Sequence, residues 1–141
     1  MIRAFIEKVA GRRPATASVQ KNMRTRGKSG EEEAVRHLES NGYRIIETNY
    51  SIRAGEIDIV AMKNGILSFV EVKLRNTGGY GSAEASVNLK KQRRITLAAK
   101  HFILKRKVGN MPMRFDVVTV DGTRPGPERV TMIENAFDAA E

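Results

Sequence analysis

The stretch from Gly55 to Arg75 constrains this chain more than any other part of it. Over 56–62, Ile57, Ile59 and Ala61 fall on one face and Glu56, Asp58 and Val60 on the other, the period-two pattern of a strand. Lys63-Asn64-Gly65 follows, and Asn-Gly accepts the positive φ of a tight two-residue turn. Residues 66–75 (Ile-Leu-Ser-Phe-Val-Glu-Val-Lys-Leu-Arg) then return as a second strand. The pattern predicts an antiparallel hairpin whose two faces are set by the alternation, so that charged positions on one strand meet charged positions on the other.

Weaker signals place the remaining elements around that hairpin. Ser29-Gly30-Glu31-Glu32 fits a capping box, with Ser29 as N-cap, opening a helix over 30–41. Gly42 stands where a left-handed C-terminal cap is wanted. Residues 43–50 are rich in aromatic and β-branched types and read as a strand. Residues 76–85 hold three glycines in four positions and predict a mobile loop. A long helix is expected over 87–107, with Ile95, Ala98, Ala99, Phe102 and Ile103 as its buried stripe, and strands over 114–120 and 129–133. The order α-β-β-β-α-β-β predicts an α/β domain with a mixed four- to five-stranded sheet flanked by helices.

The net charge of +9 is unevenly distributed. Residues 1–30 hold eight Lys/Arg against one acid, and residues 31–141 hold seventeen against fifteen. The expected organisation is a basic, disordered arm over 1–28 and a single domain over 29–141, which suits a polyanionic partner. The arm shares its Arg-rich, acid-poor character with transit peptides, but nothing else in the chain supports import. With no cysteine, disulfides and thiolate metal sites are excluded. No apolar run approaches the roughly 20 residues that span a bilayer, so a cytoplasmic, membrane-free location is expected.

The chemistry concentrates in the hairpin. Alternation puts Glu71 and Lys73 on one face of their strand, and cross-strand pairing brings Asp58 beside them. Two carboxylates and an ammonium on one apolar sheet suit a hard divalent cation, Mg²⁺ or Mn²⁺, which takes carboxylate oxygens and leaves positions for water and phosphate. The plain alternative is an ion pair on a solvated sheet face, which contributes little. Glu31 shares the inward helix face of Ala34, Val35 and Leu38, and an inward carboxylate requires a partner such as a metal or Lys73. Over 87–107 there are eight Lys/Arg, one His and no acid. The helix dipole disfavours cations at its start, so Lys90, Lys91, Arg93 and Arg94 point to an approaching phosphate, with Arg75 beside the site strand. Asp116 and Arg114 read as an ion pair on one strand face.

Taken in order, Gly27-x-x-Gly30-Glu31-x-x-Ala34, Gly42-Tyr43, Asn49-Tyr50, Gly55-Glu56-Ile57-Asp58, Phe69-Val70-Glu71-Val72-Lys73-x-Arg75, Lys90-x-x-Arg93, Arg114-Phe115-Asp116-Val117 and Asn135-Ala136-Phe137 resemble the YraN-like family of bacterial proteins. Asp58 with Glu71-x-Lys73 and a preceding helical glutamate also resembles the restriction-endonuclease-like PD-(D/E)xK nucleases, notably archaeal Holliday-junction resolvases. The resemblance covers about 27–137. It implies a restriction-endonuclease-like core, Asp58, Glu71, Lys73 and Glu31 as catalytic residues with the three acids as metal ligands, and phosphodiester hydrolysis on DNA rather than RNA, branched or junction DNA included. Junction cleavage would require a symmetric homodimer. Ile57 replaces the proline that often precedes the first aspartate. The alternative expectation is a nucleic-acid-binding module that keeps the fold with little or no activity alone.

Overall fold

The computed structural model describes residues 26–75 and 87–141. The basic arm and the glycine-rich loop expected at 76–85 lie outside them, apart from the last residues of the arm. The elements are α1 (Arg26–Ser40), β1 (Arg44–Ile52), β2 (Gly55–Lys63), β3 (Ile66–Arg75), α2 (Leu89–Arg106), β4 (Met113–Asp121), a short 3₁₀ turn (Pro127–Arg129) and β5 (Val130–Phe137). They form a five-stranded mixed sheet in the order β1-β2-β3-β4-β5, consistent with a restriction-endonuclease-like core. Neighbouring strands are antiparallel except β3 and β4, which run parallel with α2 as their crossover.

The hairpin forms, but its faces follow the alternation only in part: Ile57 packs with Val60 and Met62 under α2, while Ile59 and Ala61 pack on the other side. Lys63 pairs with Ile66 across Asn64 and Gly65, whose φ of 52° and 76° are those of a primed turn. The register continues through Ile59 opposite Val70. One sheet face carries Val60, Met62, Leu67 and Phe69 into a cluster with Ile95, Ala98 and Phe102 of α2. The other carries Ile59, Ala61, Val70, Val118 and Val120 against Ala34 and Leu38 of α1. The sheet is therefore buried on both sides, which is why its central strands read as near-continuous apolar runs.

Helix boundaries show where local signals mislead. α1 begins at Arg26, so Ser29 lies inside the helix and is not its N-cap. Gly27 and Gly30 weaken the helix without ending it, and packing carries it through: a Cβ on Gly30 would lie 3.4 Å from Leu74 of β3. The C-terminal signal holds. Gly42 takes φ of 89°, its N–H donates to the Glu39 carbonyl, and the Tyr43 N–H donates to the Leu38 carbonyl. At the start of α2, Asn88 is the cap, its side-chain oxygen accepting from the Lys91 N–H at 2.8 Å. β5 runs to Phe137, beyond the expected 129–133, because a register shift near Asn135 lets the chain resume pairing at Phe115–Phe137.

One close approach seats α2 on the sheet. A Cβ on Gly55, at the start of β2, would lie 1.9 Å from the Arg94 carbonyl oxygen and 2.7 Å from its carbon. Those neighbours are backbone and cannot rotate aside, so only glycine permits the contact. Gly55→Ala is expected to lower stability by on the order of 3 kcal/mol, through overpacking and displacement of α2. Urea unfolding of the two proteins measures it, and a loss below about 0.5 kcal/mol would show that helix and strand separate freely here.

Candidate functional site

The β2–β3 ladder ends at Ile59–Val70, and Asp58 stands at the next position out, across from Glu71. There the side chain takes over from the backbone. Asp58 Oδ2 accepts the Val72 N–H at 2.8 Å, a bond that holds the carboxylate beside β3 instead of letting it swing to solvent. Glu71 continues the alternation of Phe69 toward α2, and Asp58 stands close enough to feel the charges of both Glu71 and Lys91. Glu71 is only 3% exposed. A charge so deeply placed requires a partner. It comes from α2: Lys91 Nζ lies 2.6 Å from Glu71 Oε2, with the Lys91 side chain 44% exposed.

The electrostatics follow from this crowding. Burial, then the charge of Glu71 and a hydrogen bond shared with it, push the Asp58 carboxyl up to about 7, against the lowering effects of the Val72 N–H and Lys91. For Lys91, burial acts to lower the pKa, but the hydrogen bond and charge of Glu71, with the charges of Asp58 and Glu56, outweigh it and hold the ammonium above its ordinary range. Near neutrality Asp58 is thus about half protonated, and Lys91 stands as the cation beside Glu71.

The other expected residues are placed as follows. Lys73 is half-buried two residues beyond Glu71 on the same strand face, and among the described residues it forms no ion pair. Glu31 is half-buried on α1, the helix on the opposite sheet face. Among the described residues no three His, Cys, Asp or Glu side chains gather as a metal-holding group, so Glu31 is not brought together with Asp58 and Glu71. Arg75 is half-buried at the end of β3. Lys90, Arg93 and Arg94 are exposed in the first turns of α2, although the Arg93 Nε donates to the Glu141 carbonyl at 3.0 Å.

Lys91, expected to meet phosphate with its neighbours, instead turns inward to Glu71, a role that the expected site set omits. Its signal lay in the helical stripe, because Lys91, Ile95, Ala98 and Phe102 follow one another at intervals of four, three and four. The positive run at 90–94 obscured that one of its members turns inward.

Asp116 is the ion pair expected of it, and a fully buried one. Its carboxylate accepts from Arg114 Nε at 2.8 and 3.0 Å, from the Asn135 N–H at 2.8 Å, and from the Ser68 hydroxyl. Arg114 also donates to the Tyr43 hydroxyl at 2.7 Å and to Glu134 at 2.9 Å. This network continues the Val118 and Val120 side of β4, the face away from Asp58 and Glu71. It ties β3, β4 and β5 to the turn between α1 and β1 that holds Tyr43.

The raised value at Asp58 carries a pH dependence. A carboxyl whose folded-state pKa exceeds its ordinary 3.8 stabilises the fold when protonated, so its contribution is complete below about pH 4 and is lost as pH rises through about 7. Wild-type protein without added metal should lose stability on the order of 3 kcal/mol across that window relative to Asp58→Asn, which keeps the shape and removes the titration. Urea unfolding of both at pH 5 and pH 8 measures the difference, and parallel profiles would count against the crowded pair.

The comparisons with known proteins agree on one family. The model of the uncharacterised protein family UPF0102 matches residues 30–120, a span that includes Glu31, Asp58, Glu71, Lys73 and Lys91. A UPF0102 protein of Persephonella marina is 41% identical over 113 residues, 80% of this chain and 93% of the relative. Another, of Lachnoclostridium phytofermentans, is 44% identical over 119 residues, 84% and 97% respectively. A third, of Dechloromonas aromatica, is 42% identical over 114 residues, 81% and 89%. These matches bear out the YraN-like resemblance of the sequence motifs. With the family model spanning well over half of it, and such relatives aligned over nearly their whole length, this chain belongs to the uncharacterised protein family UPF0102.

Proposed function

We propose that this protein is a divalent-metal-dependent endonuclease that hydrolyses phosphodiester bonds in DNA, branched or junction DNA included. The observation that carries the reading is the buried Asp58–Glu71 pair, held where the β2–β3 ladder ends and lying under the basic start of α2. The donor chemistry fits the metal. Two hard carboxylate oxygens crowded together, one retaining its proton near neutrality, suit Mg²⁺ or Mn²⁺, which needs one or two carboxylates and keeps several waters. Asp58 and Glu71 would hold the ion. When bound, it would supply a water of lowered pKa and offset charge on the phosphodiester.

The chain's own residues provide the remaining functions. Lys73, which forms no ion pair among the described residues, would orient the attacking water and offset developing charge. Lys90, Arg93, Arg94 and Arg75 would hold phosphates on either side, and the positive charge of residues 1–30 extends that grip. A four-way junction would call for a symmetric dimer. No helix among the described residues is long and apolar enough to cross a membrane.

One observation favours a second reading, a nucleic-acid-binding module with little or no activity alone. The third carboxylate, Glu31, stands apart from the pair.

Variants separate the two. Asp58→Asn, Glu71→Gln and Lys73→Ala should each abolish cleavage of linear, flap and four-way DNA in Mn²⁺ or Mg²⁺ while leaving binding within a few-fold. Lys90→Ala with Arg93→Ala should weaken binding and spare the chemical step at saturating DNA. Identical trace cleavage by wild type and all three site variants would leave the binding module as the reading to keep.

Binding itself should fall with salt at a log–log slope of roughly −5, as for about six neutralised phosphates. Deleting residues 1–26 should flatten that slope. An unchanged slope would remove the arm from the interface.

A further inference from the structure

Lys91 differs from every other cation at the start of α2. Lys90, Arg93 and Arg94 are exposed, whereas Lys91 turns along the buried stripe of the helix and ends 2.6 Å from Glu71. Its amide is fixed by the Asn88 cap, and the helix is fixed by the Gly55–Arg94 approach. The backbone is thus anchored on both sides of Lys91, while the side chain is a four-carbon stem ending in a single salt bridge.

The half-buried arginine on the other sheet face is held quite differently. Arg114 is locked by Asp116, Tyr43 and Glu134 together. Among the described residues Lys91 has one ion-pair partner, and its side chain is 44% exposed against 20% for Arg114, so its ammonium is held more loosely and opens more widely to solvent. The position it occupies is the position a divalent cation would take, against the same carboxylate oxygens. Two such cations repel strongly at contact distance in a partly buried site, and Glu71 sits too deep to turn away to either.

We propose that Lys91 is a tethered stand-in cation: it neutralises the Asp58–Glu71 pair in the metal-free protein, and entry of a divalent ion expels its ammonium outward, toward the side where Lys90 and Arg94 await phosphate. This rests on the metal-dependent reading above and adds a regulatory step to it. Ion and ammonium exclude one another at the pair, so the site charges its outer rim only when loaded. Lys91 acts here as a positioning residue, through the carboxylates and then through the incoming phosphate.

Two measurements on the full chain test this, with Mn²⁺ or Mg²⁺ alone as the probe. The first is acylation of lysines, read by mass spectrometry with and without the ion. Lys91 should be protected in the free protein and become several-fold more reactive with metal, while exposed Lys90 stays constant as the internal reference. The metal response of Lys91 should disappear in Glu71→Gln. The second is calorimetric titration of wild type and Lys91→Met. Loss of the competing charge should tighten metal binding by about tenfold or more.

If wild type binds the ion with no change in Lys91 reactivity and Lys91→Met gains nothing, the exclusion is overturned and the metal site stands. If wild type is silent but Lys91→Met binds, the stand-in role is supported in its strongest form. If neither binds, the metal reading fails and takes this inference with it. The acylation result on wild type decides the matter even if Lys91→Met does not fold.

Discussion

The contact between the backbone of Gly55 and the carbonyl of Arg94 sets the position of α2, and much of the molecule depends on where that helix lies. A helix normally stands off a sheet by the depth of two layers of side chains. Here one end has no side chain in the gap, so the first turns of α2 are drawn down onto the start of β2 while Phe102, farther along, stands off on Phe69. With the helix seated there, Lys91 lies within reach of Glu71. Polar chemistry at one end of the helix and aromatic packing at its middle are two results of the same approach.

The sheet carries buried carboxylates on both faces, and the contrast between them separates structure from chemistry. Asp116 receives a guanidinium, a backbone amide and a hydroxyl, so its burial is compensated and it serves as a tie between strands. Asp58 and Glu71 receive one amide and one ammonium between them. Packing has no use for two acids so placed, and their mutual repulsion is a standing cost to the fold. A buried pair of like charges so sparsely satisfied marks a candidate functional site.

The hairpin was legible in the sequence because period-two alternation and Asn64-Gly65 are local signals, and the Asp58–Glu71 juxtaposition follows from its register; Ile57, which packs with Val60 under α2, is where the alternation fails. Glu31 shows the limit of such reasoning. Helical periodicity says which side of α1 is buried but not which face of the sheet that side will meet, and α1 packs on the face away from the pair. Ser29 was misleading for a related reason, since a capping pattern competes with tertiary contacts such as Gly30 on Leu74 that no local window contains. Lys91 was legible in principle from its spacing to Ile95, Ala98 and Phe102, but the surrounding run of charge drew attention outward. The extension of β5 to Phe137 depended on Asp116 accepting the Asn135 amide, a contact between residues far apart in the chain.

Both outer strands of the sheet are irregular. β1 shifts register between Ile45 and Glu47 and takes a positive φ at Asn49, and the β4–β5 pairing shifts between Phe115 and Val117, with a positive φ at Asn135. A bulge twists a strand and interrupts the even row of amides and carbonyls that another sheet would need as a template. Neither border of this sheet therefore offers a long straight edge for a sixth strand. When copies of this protein come together, continuous β-pairing from molecule to molecule is disfavoured, and assembly is steered toward side-chain surfaces, where charge and shape can discriminate among partners.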